Sequence, residues 1–297
     1  MKTILITGGS GLLGATLAPM AAAGYKIRAA YRSNAVHLPG CETMPLDITD
    51  CGAVRESIAA IRPEVIVHAA ALTAVDYCEE HPAEAYHVNL AGTENIARAA
   101  TMAAAHLIYI STDYVFDGKT GRYNEKATPN PVNSYGQTKL AGEKAVMELG
   151  GAWTIIRTTF YGPHPLGNNG YMERIIASLL EGKTLCMPEN AFFSPLPVEV
   201  LSRVILEIAR KGKTGIYHIG GRERSSKYDF VVKMARVFNL APADIRPVDF
   251  ASLNARARRP QDTSLDVDKA RRELKTRLPG IEEGLALVQE SFERGGR

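Results

Sequence analysis

Short apolar runs alternate with helical patterns through the first half of the chain. TILIT (3–7) precedes a glycine-rich turn and the helix-like LLGATLAPMAAAG. YKIRAAY (25–31), the stretch Glu42–Pro45, EVIVHAAA (64–71), HLIYI (106–110) and WTIIRT (153–158) read as five further strands. Between them, AEAYHVNLAGTENIARAATMAA and SYGQTKLAGEKAVMELG carry apolar residues at helical spacing. Continuous Val/Ile-rich runs separated by helices predict a parallel sheet covered on both faces, a doubly wound α/β architecture with right-handed crossovers. After about residue 158 the regularity breaks. YGPHPLGNNG reads as a long loop before the helix YMERIIASLLEG, followed by another strand–helix alternation, the polar stretch ARARRPQD and two closing helices.

Composition narrows the classes. The chain has 297 residues, 45% hydrophobic and 23% charged, which is ordinary globular usage with ample core. A net charge of +3, with no basic stretch interleaved with aromatics, argues against nucleic acid. No segment approaches the apolar run of about 18 residues that a membrane span needs, and glycines break the opening MKTILITGG long before it could serve as a secretory signal. Cys41, Cys51, Cys78 and Cys186 are scattered, so reduced thiols and a cytoplasmic location are expected. The seven histidines show no ligand spacing, so no metal site is expected, and no Gly-x-Ser-x-Gly elbow supports hydrolase chemistry.

Directly after the first strand comes TGGSGLLG. Gly8, Gly11 and Gly14 fall at three-residue spacing, and Leu12 and Leu13 open the helix that follows. A glycine triplet alone is weak, but between a strand and a helix of the first βαβ unit it reads as a pyrophosphate cradle. Residues 1–158, completed by part of 197–220, are therefore expected to form a Rossmann dinucleotide-binding domain. Residues 159–297 would form most of a smaller, discontinuous region packed over the carboxyl edge of the sheet. An NAD site offers an acid to the ribose about 20 residues beyond the turn, yet the second strand ends in Ala29-Ala30-Tyr31-Arg32-Ser33. Arg32 suits a 2′-phosphate, which favours NADPH while leaving NADH open.

The fifth strand ends in a cluster of polar side chains, Ser111, Thr112, Asp113 and Tyr114, where ligands bind in such sheets. Further along, SYGQTK sets Tyr135 and Lys139 four apart, on one helix face. A free tyrosine titrates near 10, too high for ready proton exchange at neutral pH. A neighbouring cation is expected to lower that value, and a hydroxyl at Thr112 could hold a carbonyl oxygen for Tyr135 to protonate. Beside a nicotinamide, these three groups suffice for reversible carbonyl reduction.

Taken with PLDITD, VIVHAAALTAVDYCE, the VN at 88–89, YISTDYVFDG, SYGQTKLAGEKAV and RRPQDTSLD, the chain resembles the extended short-chain dehydrogenase/reductases. Within them it is similar to the dTDP-4-dehydrorhamnose reductases and to the regulatory subunit of methionine adenosyltransferase. The resemblance implies a catalytic triad of Thr112, Tyr135 and Lys139, with Tyr135 as proton donor and Lys139 also holding the nicotinamide ribose. It implies that Asp47 and Ile48 line the adenine pocket, and that Ala69, Ala70 and Ala71 form the cofactor bed. Val75, Asp113 and Tyr114 would face a nucleotide-sugar substrate, whose C4 ketone would be reduced. Because family members are often dimers, a homodimer is a further expectation.

The resemblance departs in one stretch. Where the family reads like Arg-Thr-Ser-Trp-Val-Tyr-Gly after the sixth strand, this chain has RTTFYG (157–162), one residue shorter, with Phe160 in place of the tryptophan. That segment shapes the sugar pocket, so the sugar and the nucleotide base stay open. An acid–glutamate pair expected of the dehydratases is absent after Thr112, and Arg32 argues against an NAD-retaining epimerase. A cofactor-binding regulatory subunit, or another sugar-nucleotide reductase or epimerase, stands as the alternative. Asp76, Glu79 and Glu80 are expected to be a solvated helix start.

Overall fold

A computed structural model describes residues 1–149, 151–167, 170–241, 245–253 and 255–295. Seven parallel strands form one sheet: β1 (Thr3–Thr7), β2 (Lys26–Tyr31), β3 (Glu42–Pro45), β4 (Val65–His68), β5 (His106–Thr112), β6 (Trp153–Thr158) and β7 (Gly215–Ile219). Their order is β7-β6-β5-β4-β1-β2-β3. The helices that cover it are α1 (Leu12–Ala22), α2 (Cys51–Ile61), α3 (Gly92–Met102), α4 (Ser134–Glu148) and α5 (Val198–Lys211).

Alternation along the strands divides the core into two layers. Ile4 and Ile6 join Val65, Val67, Ile108 and Ile156 on the face that α1 and α5 cover. Leu5, Ile66, Leu107, Tyr109 and Ile155 point the other way, against α2, α3 and α4. Both faces are apolar because both are covered, as the uninterrupted Val/Ile runs require. A third core, with Met172, Ile175, Phe193, Phe230, Met234 and Leu285, belongs to segments after β6. Among the described residues no helix is long and apolar enough to cross a membrane.

Two strand ends differ from the sequence pattern, and the difference builds the cleft. β4 stops at His68, before the alanines at 69–71, whereas β5 runs on to Thr112. The last partner of β4 on β5 is Tyr109, so Ile110, Ser111 and Thr112 pair only with β6. β5 therefore overhangs its neighbour and carries its polar end past the sheet edge. Part of the YGPHPLGNNG loop, Asn168 and Asn169, lies outside the described residues.

His68 locks the ends of β1 and β4. Its Nδ1 lies 2.7 Å from Thr7 Oγ1 and its Nε2 lies 3.1 Å from Thr93 Oγ1. His218, on β7, is equally enclosed. Burial pushes both rings down to about 3, with Lys139 adding to the effect on His68 and Arg157 to that on His218. In the unfolded chain each titrates near 6.5, so below about pH 6 the unfolded state holds more protons and stability falls with pH. These two rings alone should contribute close to two protons to the uptake on unfolding near pH 5, read as the loss of slope in unfolding free energy against pH when both are replaced. Flat stability between pH 7 and 5 would contradict the buried, neutral state of both rings.

Candidate active site

A cleft of about 890 Å³ opens at the carboxyl ends of the strands, from the glycine turn to the first residues after β6. At its near end Gly8 adopts φ +74, and a side chain there would meet the backbone of Ala69 and Ala70. A Cβ on Gly14 would run into the carbonyl of Gly8. The turn thus closes tightly where the strand order reverses between β1 and β4, and it delivers the N-terminus of α1 to the cleft. No side chain caps that helix at Gly11, so its first N–H groups are turned to an anion-binding position. Gly8, Gly11, Leu12, Leu13 and Gly14 all line the cleft, as do Ala69, Ala70 and Ala71.

Arg32, Asp47 and Ile48 form the adjacent wall. Asp47 Oδ1 accepts from the N–H and the hydroxyl of Thr49 at 2.9 and 2.7 Å. Those bonds, with help from the Arg32 charge, hold its carboxyl below the usual range. Arg32 is exposed and forms no salt bridge among the described residues. Ile48 is buried against Gly92 of α3. Ser33 is exposed and lies outside the lining.

α4 brings Tyr135 and Lys139 to the overhang of β5. Asn133 caps the helix, its Oδ1 accepting from Gly136 N at 2.9 Å. Gly136 has to be glycine: a Cβ there would strike the carbonyl of Tyr114. Asn89, on a π-helical turn spanning His87–Ala91, fixes the other side. Its amide bridges both backbone groups of Leu72 and donates to Thr138 Oγ1 at 3.0 Å. Lys139 is 3% exposed, its Nζ 4.1 Å from the centre of the Tyr109 ring. Burial pulls it down to about 7, against the pull of Glu143.

Thr112, Tyr135 and Lys139 all line the cleft. The electrostatics differ from the sequence expectation. Burial drives the Tyr135 phenol upward, and the Thr112 hydroxyl only partly offsets it. A lysine that itself titrates near neutrality is a weak counter-charge, so desolvation dominates. Ser111 lines the cleft as well, but its hydroxyl is turned to Glu143, donating to Oε1 at 2.5 Å. Thr112 Oγ1 donates to Asp113 Oδ1 at 3.1 Å and accepts from Tyr114 N at 3.1 Å.

Val75, Asp113, Tyr114 and Phe160 lie at the far end of the cleft. The Tyr114 and Tyr135 rings meet edge to face at 6.1 Å, and burial pushes the Tyr114 phenol to about 12. Sequence reasoning missed Thr158, Tyr171, Arg174 and Lys227, which line the same end. Lys227 sits with its ammonium 3.3 Å from the Phe193 ring centre, and burial lowers it to about 8 against the attraction of Asp113. One signal was readable. Lys227 opens a helix capped by Ser226, where the helix dipole disfavours a cation, so it needs another reason to be there.

Asp76, Glu79 and Glu80 do not form a merely solvated helix start. Asp76 pairs with Arg259 at 2.9 Å and accepts from Ala257 N, Glu79 accepts from Ser134 N at 2.8 Å, and Glu80 pairs with Arg256. They latch the 256–259 stretch and the start of α4 to the cleft rim.

A parallel sheet of this order, a glycine turn at its switch point and a Tyr–Lys pair on one helix define a Rossmann-type α/β protein of the extended short-chain dehydrogenase/reductase kind. Residues 1–294 match the family model described as RmlD substrate binding domain, and the chain belongs to that family. It is 31% identical to the dTDP-4-dehydrorhamnose reductase of Bacillus anthracis str. Ames, whose structure was solved in complex with NADP. The two superpose with a TM-score of 0.88 over 98% of this chain and 100% of that one. Methionine adenosyltransferase 2 subunit beta of Xenopus tropicalis is 32% identical over 286 residues, 90% of this chain and 81% of that protein. The probable low-salt glycan biosynthesis reductase Agl14 of Haloferax volcanii is 30% identical over 292 residues, 97% of each chain.

Proposed function

We propose that the protein is an NADPH-dependent oxidoreductase that reduces the C4 ketone of a nucleotide-linked 6-deoxy-hexulose, with dTDP-4-dehydrorhamnose the first candidate. The observation that carries this reading is the placement of Thr112, Tyr135 and Lys139 on the wall of the same cleft as the glycine turn. The NADP-bound relative from B. anthracis supports the cofactor. The turn fits a dinucleotide because a side chain at Gly8 or Gly14 would fill the space that the backbone needs to close there. Gly8, Gly11 and the start of α1 would receive the pyrophosphate, and Arg32 the 2′-phosphate.

When bound, the reduced nicotinamide supplies a hydride. Tyr135 gives its proton to the ketone oxygen, and its raised affinity for that proton keeps it loaded at neutral pH. Lys139, on the same helix face, meets the phenolate left behind with its charged form, which Glu143 favours. The overhang of β5 holds Thr112 beside them. A second reading, a non-catalytic subunit, is favoured by the 32% identity to methionine adenosyltransferase 2 subunit beta.

The deciding measurement is NADPH oxidation with dTDP-4-dehydrorhamnose, run beside NADH. Turnover with NADPH is expected. Tight NADPH binding without turnover of this or any related 4-keto-sugar would overturn the reductase reading in favour of the subunit. Arg32→Ala should weaken NADPH binding at least about tenfold and leave NADH unchanged, since it removes a charge-assisted contact made only to the 2′-phosphate. Equal losses for both cofactors would mean that Arg32 does not read that phosphate.

A further inference from the structure

The RRPQDTSLD segment contributes no cleft-lining residue, yet it reaches the site from behind. It lies between two other segments. Asp262 N donates to Gly118 O at 3.0 Å, and Phe192 N donates to Gln261 O at 2.7 Å. Arg224 Nε and the Ser264 N–H and hydroxyl hold the Asp262 carboxylate at 2.8, 3.0 and 2.6 Å. This anchoring aims Thr263, 3% exposed, at Asp113, also 3% exposed. Thr263 Oγ1 donates to Asp113 Oδ2 at 2.5 Å, in preference to the Phe192 carbonyl at 3.4 Å.

Asp113 thus has two hydroxyl donors at unequal range, Thr263 at 2.5 Å and Thr112 at 3.1 Å. Hydroxyl bonds to carboxylates are strongest near 2.5–2.7 Å, so Thr263 holds Oδ2 in a short bond that draws charge from the carboxylate, while the Thr112 bond to Oδ1 is slack. Thr112 has a single hydroxyl proton, and one of its lone pairs already accepts from Tyr114 N. To serve the reacting oxygens, that proton must leave Asp113.

We propose that Thr263 is a positioning residue of the reaction, which by its short bond to Asp113 weakens the carboxylate's hold on the Thr112 proton and frees that proton to swing to the ketone or to the Tyr135 oxygen. The inference rests on the reductase reading for its kinetic consequence and on geometry alone for the coupling. Without the Thr263 hydroxyl, Asp113 draws the Thr112 proton to itself, and the site loses a donor at the moment charge develops. Lys227, the cation that faces Asp113 from the start of the helix Lys227–Val237, attracts the carboxylate in either case.

The test uses Thr263→Val, nearly the same shape without the hydroxyl, and Thr263→Ser, which restores it. With dTDP-4-dehydrorhamnose, Thr263→Val should lower kcat about tenfold, the weight of one hydrogen bond to a charged group. KM and NADPH affinity should hold within about twofold, with serine recovering most of the loss. Unchanged kcat, or a loss that serine does not repair, overturns the proposal. A second readout needs no turnover: the Asp113 carboxyl, assigned in carbon-13 NMR by its disappearance in Asp113→Asn, should titrate higher in Thr263→Val than in the wild type, with serine restoring it. An inactive wild type would overturn the reductase reading, and the NMR arm would still decide the coupling. An Asp113 titration identical in all three proteins sinks the inference.

Discussion

Tyr135→Phe should cut turnover of dTDP-4-dehydrorhamnose at least about a hundredfold while NADPH affinity stays within about twofold, because a positioned general acid contributes roughly 10² to 10⁴. The substitution removes one oxygen and keeps the ring. The edge-to-face contact with Tyr114 at 6.1 Å needs only that ring, and the close approach of Gly136 to the Tyr114 carbonyl is a backbone contact. A loss of rate therefore measures the proton donor, provided a cofactor titration shows the cleft intact. Burial raises the affinity of this phenol for its proton, so the wild type rests in the form that can donate. Should the phenylalanine variant retain more than about a tenth of wild-type turnover, another group donates the proton. A subunit without catalysis would show no keto-sugar turnover in either form.

Much of the architecture could be read from the chain. The parity of TILIT, VIVH and HLIYI, each apolar on both faces, requires a sheet covered twice, and the two core layers follow it residue by residue. Gly8, Gly11 and Gly14 were legible because their need is local, a tight turn between a strand and a helix. Tyr135 and Lys139 were legible because helical spacing puts them on one face. What stayed hidden depends on contacts distant in the chain. Nothing near Ser111 says that its hydroxyl turns to Glu143, 32 residues away, or that Asp113 meets Thr263 across 150 residues. The acids at 76, 79 and 80 read as solvated because their arginine and backbone partners come from segments that only the fold brings near. The direction of the Tyr135 shift is hidden for a related reason: a lysine's effect depends on its own burial, which spacing does not reveal.

Glu143→Ala should destabilise the protein by about 3–5 kcal/mol, the usual consequence of leaving a buried charge without its partner. The Glu143 side chain is 0% exposed and that of Arg157 3%. Arg157 Nε donates to both carboxylate oxygens at 3.0 and 3.2 Å and Nη2 to Oε2 at 2.7 Å. The network continues outward. Arg157 Nη1 lies 3.4 Å from His218 Nε2, while His218 Nδ1 lies 2.8 Å from the Tyr123 carbonyl. A carbonyl can only accept, so Nδ1 carries the proton and Nε2 is free to accept from the arginine, which agrees with a ring that burial keeps neutral. Alanine at 143 strands the guanidinium and the Ser111 hydroxyl together. Urea unfolding should show a lower midpoint with an unchanged slope. The double variant Glu143→Leu with Arg157→Met should lose less than the single one, since it removes both charges. A single-variant loss under about 1 kcal/mol would mean that water or a rearranged partner reaches Arg157. The same carboxylate lies one helical turn from Lys139 and favours its charged form. Glu143→Gln should therefore move the Lys139 titration further down, and the alkaline side of the reductase pH profile with it. The pair that braces α4 against β6 also sets the charge beside Tyr135, so stability and activity should fail together at this position.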